Sequence, residues 1–175
     1  IMDAKEAEKL FYEPVDLYSP VAPNSDAVKR AVEVLMGAKR PAILIGKGAA
    51  YARLEDKLKK LVETYNIPYL PMSMAKGLLP DNGGLSALSC RSDIMEKSDV
   101  VMVVGARLNW MLSFGKGKWN PAIKFIQLDV EPQEIDVNVP IAAPVVGDMG
   151  LALDAILKEM DGKKMQTDSS WVSGL

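Results

Sequence analysis

The stretch ILIGKGAAYARLEDKLKKL, residues 43–61, decides the fold. It begins as an apolar strand, passes through Gly46 and Gly48, and continues into an amphipathic helix that we predict over about residues 52–65. A strand, a glycine turn and a helix form the unit from which parallel α/β sheets are built, and nucleotide phosphates commonly lie at such turns. Tyr51 replaces the third glycine of the dinucleotide fingerprint, so the surrounding residues must indicate which anion, if any, this turn holds.

The same alternation continues on both sides of this stretch. Apolar strands are predicted within residues 41–46, 67–72, 99–105, 122–130 and 143–148, with a further short strand near residues 85–88. Helices are predicted within residues 24–37, 91–98 and 149–160. Strands that are apolar throughout are typical of parallel sheets covered on both faces. We therefore predict a three-layer α/β/α Rossmann-like domain around a parallel sheet of five or six strands, with DVVMVVG, the most apolar strand, at its centre.

The two ends of the chain differ in character from its middle. Residues 1–19 are proline-punctuated after a short predicted helix at residues 4–10, which indicates a linker or strap from a preceding domain. Residues 20–160 form the predicted central domain. Residues 161–175 are mostly polar, with a lone Trp171, and predict a flexible linker toward a C-terminal domain, with a frayed native terminus as the alternative. These boundaries favour a piece of a longer protein.

Composition excludes several classes of function. The 175 residues are 49% apolar and 25% charged with a net charge of −2, which is typical of a soluble domain and gives no basic field for nucleic acid. No apolar run is long enough to cross a membrane. The chain has no histidine and a single cysteine, which removes histidine-based catalysis, argues against a structural zinc site and favours a reducing, cytoplasmic location. Cys90 has only Arg91 beside it and is predicted to be an inert, buried thiol.

Charged residues and glycines follow the ends of several predicted strands. In parallel sheets ligands bind beyond the carboxyl ends of the strands, so these residues are candidates for one site. Two cations suit phosphates, Asp129 suits ribose hydroxyls, and Asp148 either does the same or caps the last helix. We also expect the small residues at the first turn to bring backbone N–H groups close to an anion, although glycines that only reverse the chain are the alternative. The candidate set is Gly46, Lys47, Gly48, Arg107, Asp129, Asp148 and Met149.

The kind of nucleotide is narrowed by what the motifs lack. The substituted fingerprint and the absence of an acid after the second strand disfavour NAD, and nothing matches a Walker A loop. AKGLLPDN, residues 75–82, is either a cover for a ligand or a structural turn. NWMLSFGKGKWNP, residues 109–121, mixes aromatic and cationic residues that bind a base or, as we favour, pack against a neighbouring domain. The ten methionines are interpreted as core filler.

Six motifs, spread over roughly residues 16–160, together resemble one family. They are RPAILIGKGAAYA, MAKGLLPDN, VVGARLNW, FGKGK, QLDVEPQEID and PIAAPVVGD. Their combination resembles the central domain of thiamine diphosphate-dependent enzymes, in the branch of oxalyl-CoA decarboxylases and 2-hydroxyacyl-CoA lyases. The resemblance implies a six-stranded Rossmann-like sheet between two further domains, which hold thiamine diphosphate and Mg²⁺. It also implies a lyase, a decarboxylase that converts oxalyl-CoA to formyl-CoA and CO₂, with no catalytic residue in this part.

The resemblance further implies ligand contacts. Family members of the decarboxylase branch bind ADP, an activator, at positions that match Lys47, Arg107, Asp129 and Met149, with Gly46, Gly48 and Asp148 nearby. The acyl-CoA substrate is approached by the segment that matches Ser89, Cys90, Arg91 and Ser92. Neighbouring domains of the same chain and a homo-oligomer, dimer or tetramer, are the implied partners. A 2-hydroxyacyl-CoA lyase, an acetolactate synthase-like enzyme with FAD, and a structural domain with a vestigial nucleotide site remain alternatives, with FAD the least favoured.

Overall fold

The structure is a computed structural model that describes residues 3–11 and 19–175. Its centre is a sheet of five parallel strands in the order β2-β1-β3-β4-β5. The strands are β1 (Pro41–Ile45), β2 (Tyr69–Pro71), β3 (Val100–Val104), β4 (Lys124–Asp129) and β5 (Ala143–Val146). The predicted parallel α/β sheet is confirmed, and the most apolar strand, β3, is the central one. Every residue of β1 and β3 is buried, as expected for strands covered on both faces.

Helices cover the sheet on both faces, which completes the predicted three layers. The helices of the described residues are α1 (Ala4–Glu8), α2 (Ser25–Met36), α3 (Lys47–Tyr51), α4 (Glu55–Tyr65), α5 (Arg91–Lys97) and α6 (Met149–Met160), of which α1 has no buried residue. Alternate strand residues point to opposite faces, so Ile43 and Ile45 pack with α2, α4 and α6. On the other face, Ala42 and Leu44 share a core with α5 and the segment at residues 108–119.

Helix α2 forms as its sequence predicts. The Asn24 side chain accepts hydrogen bonds from the N–H groups of Asp26 and Ala27 at 2.9 and 3.1 Å, which satisfies two donors that the first turn cannot pair internally. Its apolar residues are buried: Ala27, Val28, Ala31, Val32 and Leu35.

The sixth strand is reduced to one bridge. Near residues 85–88, only Ser86 pairs with the sheet, opposite Tyr69, whose backbone bonds to Leu85 and Ala87. The partner strand β2 has three residues and ends at Pro71, which has no N–H to donate. The sheet therefore has five strands, the lower of the two predicted numbers.

The single helix predicted over residues 52–65 is wrong at its start. A five-residue helix, α3, comes first, and α4 begins at Glu55. Arg53 separates them with a φ of +51°, a left-handed conformation that no α-helix continues through. The kink places Leu54 in the core at 1% exposure, where it joins Leu58, Leu61 and Val62 of α4.

Both ends of the chain were predicted as linkers. The first helix is observed at Ala4–Glu8, but residues 1–2 and 12–18 lie outside the described residues, so most of the strap predicted at residues 1–19 cannot be followed. At the other end, the last residues of the predicted linker contact the domain. Trp171 is 5% exposed, and its indole N–H donates to the Pro41 carbonyl at 2.8 Å. A buried ring with a satisfied N–H holds this segment on the sheet. Whether it also leads to another domain stays a prediction.

Candidate functional site

A cleft of about 450 Å³ opens at the carboxyl ends of β1, β3 and β4. Of the seven rim residues proposed from the sequence, six line it: Gly46, Lys47, Gly48, Arg107, Asp129 and Met149. The remaining lining residues are Met72, Ser73, Met74, Gly105, Ala106, Asn109, Met111 and Val130. Strand order therefore brings together residues up to about a hundred positions apart in the sequence, although their contacts with a ligand stay a prediction.

Glycines let two turns of the cleft cross in backbone contact. The Gly46 N–H donates to the Val104 carbonyl and the Gly48 N–H to the Gly105 carbonyl, both at 2.9 Å. A Cβ at Gly46 would lie 2.2 Å from the Gly105 oxygen, and Gly105 itself has a φ of +59°. The N–H groups of Gly46 and Gly48 are therefore both used in joining the turns after β1 and β3. Whether other backbone N–H groups of the first turn approach an anion stays a prediction.

Side chains must supply the charge that binds any anion. The helix that follows Gly46 has only five residues, so its dipole adds little. Lys47 and Arg107 both line the cleft. The ammonium of Lys47 lies 5.1 Å from the centre of the Tyr51 ring, a cation–π contact. Tyr51 thus has its own role in place of a third glycine, since it lies four residues from Lys47 on α3.

Arg107 forms an ion pair beside the cleft. Its Nη2 lies 2.9 Å from Oε1 of Glu134. Glu134 ends a short 3-10 turn, Pro132–Glu134, after β4, and it does not line the cleft. It does line a neighbouring cavity of about 160 Å³ that Arg107 also borders. Arg107 therefore lies between the cleft and this neighbouring cavity.

The two aspartates of the predicted site have different positions. Asp129, at the end of β4, lines the cleft, and its Oδ1 accepts a hydrogen bond from the Glu131 N–H at 3.1 Å. Asp148 does not line the cleft; its Oδ1 accepts from the Leu151 N–H at 2.9 Å and so caps α6. The structure therefore favours the second of the two roles proposed for Asp148.

Sequence reasoning missed the apolar part of the cleft. Four methionines line it, of which Met74 is 65% exposed and Met111 38% exposed. Met149 was among the predicted site residues, whereas Met72, Met74 and Met111 were assigned to the core with the other methionines. Met72 and Met74 directly follow β2, so the argument from strand ends that found Lys47 and Arg107 would have found them too. Flexible, polarisable methionine side chains suit contact with a flat apolar or aromatic group.

The segment predicted to approach CoA lies at the start of α5, outside the cleft lining. The cleft lining includes none of the four predicted residues Ser89, Cys90, Arg91 and Ser92. Cys90 is half-buried, where burial was predicted, and its thiol contacts the carbonyl of Leu175. The Arg91 guanidinium donates to the carbonyl of Met111, which lines the cleft. Arg91 therefore connects α5 to the cleft, and the role of this segment toward CoA stays a prediction.

Within residues 3–11 and 19–175, no group of three or more histidine, cysteine, aspartate or glutamate side chains is placed to hold a metal ion. In the same described part of the chain, every helix is too short or too polar to cross a membrane.

The fold and the cleft define a Rossmann-like α/β domain with a ligand-sized site at the carboxyl edge of its sheet. A family model described as the central domain of thiamine pyrophosphate enzymes matches residues 28–156, and the chain belongs to this family. The resemblance found from the motifs is confirmed.

Two relatives and one solved structure are similar to the chain. Oxalyl-CoA decarboxylase of Escherichia coli is 48% identical over 149 residues, and 2-hydroxyacyl-CoA lyase of Arabidopsis thaliana is 46% identical over 151; each match covers 85% of this chain. The chain spans about a quarter of their length, 26% in both. A solved structure from Mycobacterium smegmatis, described as a candidate thiamin diphosphate-dependent enzyme, has a TM-score of 0.69 over 91% of this chain and 32% of its own. At 21% identity, that likeness concerns the fold alone.

Proposed function

We propose that the cleft binds an adenine nucleotide, ADP, and that the chain is the central, non-catalytic domain of an oxalyl-CoA decarboxylase-like lyase. The whole protein, in this proposal, is a cytoplasmic homo-oligomer, dimer or tetramer, that converts oxalyl-CoA to formyl-CoA and CO₂. The 48% identity to the E. coli decarboxylase supports the parent activity. The observation that carries the nucleotide site is the meeting of Lys47, Arg107 and Asp129 in one cleft.

The chemistry of the cleft supports ADP in three ways. Its volume of about 450 Å³ lies in the range of about 300–1,000 Å³ typical of small-molecule sites. Lys47 and Arg107 are assigned to the diphosphate, and Asp129 to the ribose hydroxyls. The methionines and Val130 are assigned to the adenine, which needs an apolar surface on which to lie.

The residues described do not fit the catalytic cofactor. A diphosphate-bound Mg²⁺ needs oxygen ligands such as carboxylates, and the cleft has one carboxylate, Asp129. We therefore assign thiamine diphosphate and Mg²⁺ to other domains of the parent protein, where the cofactor supplies the chemistry of decarboxylation. This domain then contributes no acid, base or nucleophile to the reaction. Its segment at residues 89–92 borders the CoA channel in the proposal.

A second parent activity is favoured by a specific observation. The 46% identity to the A. thaliana 2-hydroxyacyl-CoA lyase is close to the identity to the decarboxylase. Both activities handle acyl-CoA compounds, so the two parents share one proposed class of substrate. A structural domain with a vestigial site is supported by the loss of the Gly46 and Gly48 N–H groups to internal bonds.

Calorimetry with ADP tests the nucleotide site. We expect binding by the protein and a loss of affinity of at least about 100-fold in Lys47→Ala/Arg107→Ala, because each cation supplies charge-assisted hydrogen bonds to phosphate. The matched control is Lys116→Ala/Lys164→Ala, which removes two exposed lysines outside the cleft and should bind like the wild type. Absence of ADP binding up to millimolar concentration by the folded protein contradicts the site and favours the vestigial alternative. A yellow protein on purification would point to FAD instead.

A further inference from the structure

Both cations of the cleft are held by side chains outside it. Lys47 lies over the ring of Tyr51, and Arg107 pairs with Glu134. Neither partner lines the cleft. The positive charge that the proposed ligand needs is therefore present at the rim, but Lys47 and Arg107 both already contact other side chains. The stronger of the two contacts is the ion pair, since it joins full opposite charges at 2.9 Å.

Glu134 is the fixed member of the pair. Its side chain is 22% exposed, whereas that of Arg107 is 68% exposed. The backbone carbonyl of Glu134 accepts a hydrogen bond at 3.0 Å from the side chain of Gln127, which is 2% exposed within β4. The turn that carries the carboxylate is thus tied to the sheet. Arg107, on a long exposed side chain, is the member that can move.

Glu134 lies beside the proposed ligand site rather than in it. Glu134 lies on the neighbouring cavity of about 160 Å³, and Arg107 borders both that cavity and the cleft. The pair is exposed on the arginine side, and such ion pairs contribute little stability. An anion of higher charge in the cleft, such as a diphosphate, therefore competes well for the guanidinium.

We propose that Glu134 is a positioning residue that holds Arg107 toward the neighbouring cavity, and that a diphosphate in the cleft takes Arg107 from it. The proposal rests on the proposed function. Glu134 then lowers the affinity of the cleft for ADP, because binding must break the pair before Arg107 reaches the phosphates. The exchange also moves Arg107 from one cavity to the other on binding.

A double-mutant cycle tests the exchange. ADP affinity is measured by calorimetry for the wild type, Glu134→Gln, Arg107→Ala and the double variant. Glutamine keeps the shape of Glu134 without its charge, so we expect Glu134→Gln to bind ADP about 2- to 5-fold more tightly, the range of an exposed ion pair. Arg107→Ala should bind at least about 10-fold more weakly. In the Arg107→Ala background, Glu134→Gln should change nothing, which a merely structural role of Glu134 would not produce.

Two controls make the result specific. Glu131→Gln removes an exposed carboxylate from the loop that carries Glu134. Among the described residues this carboxylate forms no ion pair with Arg107, so the variant should keep the wild-type affinity for ADP within twofold. Glu134→Ala, measured beside Glu134→Gln, should shift the affinity in the same direction and guards against a defect peculiar to the glutamine. Circular dichroism verifies the fold of each variant.

The outcomes separate this inference from the proposed function. If the wild type binds ADP and Glu134→Gln binds equally or more weakly, the exchange is overturned and the ADP site stands. A gain that persists without Arg107, or that Glu131→Gln reproduces, also overturns it, because the effect would then be general electrostatics. Failure of all four proteins of the cycle to bind ADP overturns both proposals together.

Discussion

Gly46 shows how closely two turns approach at the floor of the cleft. Its backbone touches the turn after β3, and the atoms that a Cβ would meet are the Gly105 oxygen at 2.2 Å and Ala106 Cβ at 2.4 Å. Neither belongs to a flexible side chain that can move aside. The strand-turn-helix motif thus serves first to join β1 to β3, and its position at the site follows from that junction.

We expect Gly46→Ala to destabilise the protein by about 3 kcal/mol, the upper range for overpacking, because backbone must shift to admit the methyl group. Urea unfolding measures the change. Gly84→Ala is the matched control, since a Cβ there meets nothing within 4 Å, and it should stay within about 0.5 kcal/mol of the wild type. Equal effects at the two glycines would contradict the crossing of the turns.

Tyr51 illustrates why a missing motif residue need not mean a missing site. The third glycine of the dinucleotide fingerprint permits close packing of a helix on its strand. Here α3 ends at Tyr51, whose side chain is 77% exposed, so no close packing exists for a glycine to permit. The tyrosine instead contacts Lys47, and the departure from the fingerprint reflects a shorter helix.

At the scale of elements, the last segment of the chain completes one face of the sheet. That face is covered by α5 and the segment at residues 108–119, and Trp171 joins the same core. The Asp168 N–H donates to the Lys39 carbonyl at 2.9 Å, and the Trp171 indole donates to Pro41. The segment therefore contacts the chain just before β1 and at its start.

Replacement of Trp171 tests this attachment. We expect Trp171→Ala to reduce the free energy of unfolding by about 3 kcal/mol, since it removes a buried ring from an apolar cluster. Trp110→Ala is the matched control, because it makes the same substitution at a tryptophan that is 73% exposed. It should reduce the free energy of unfolding by less than about 0.5 kcal/mol. Urea unfolding measures both, and limited proteolysis should release residues near the C-terminus of the first variant only. A Trp171→Ala protein as stable as Trp110→Ala would show that the segment is not anchored.

At the scale of the whole molecule, two tyrosine hydroxyls join different elements of the fold. The Tyr65 hydroxyl donates to the Met160 carbonyl, from α4 to α6, and the Tyr69 hydroxyl donates to the Pro80 carbonyl, from β2 to the following loop, both at 2.6 Å. Burial raises the pKa of both phenols, and the negative charges of Asp161 and Asp81 respectively raise it further. Both effects disfavour the phenolate in the folded protein.

These raised pKa values predict a loss of stability at alkaline pH. The unfolded chain releases the phenolic protons at about pH 10, before the folded protein does, so their contribution is complete below about pH 10 and is lost as the pH rises through the folded pKa. Urea unfolding from pH 8 to 11 should show the wild type more stable than Tyr65→Phe/Tyr69→Phe at pH 8, with the gap narrowing above pH 10. A gap that stays constant from pH 8 to 11 would contradict the prediction.

By itself the sequence determined the layers, the central strand, the ends of α2 and α6, and six of the residues that line the cleft at the carboxyl edge of the sheet. These follow from local periodicity, capping residues and the geometry of parallel strands, all of which can be read from neighbouring positions in the chain. Only the tertiary structure decided which groups are already engaged: the Gly46 and Gly48 N–H groups with the turn after β3, Arg107 with Glu134, and Trp171 with β1. Each of these contacts joins residues far apart in sequence, and a donor's partner depends on where the folded chain brings the acceptor.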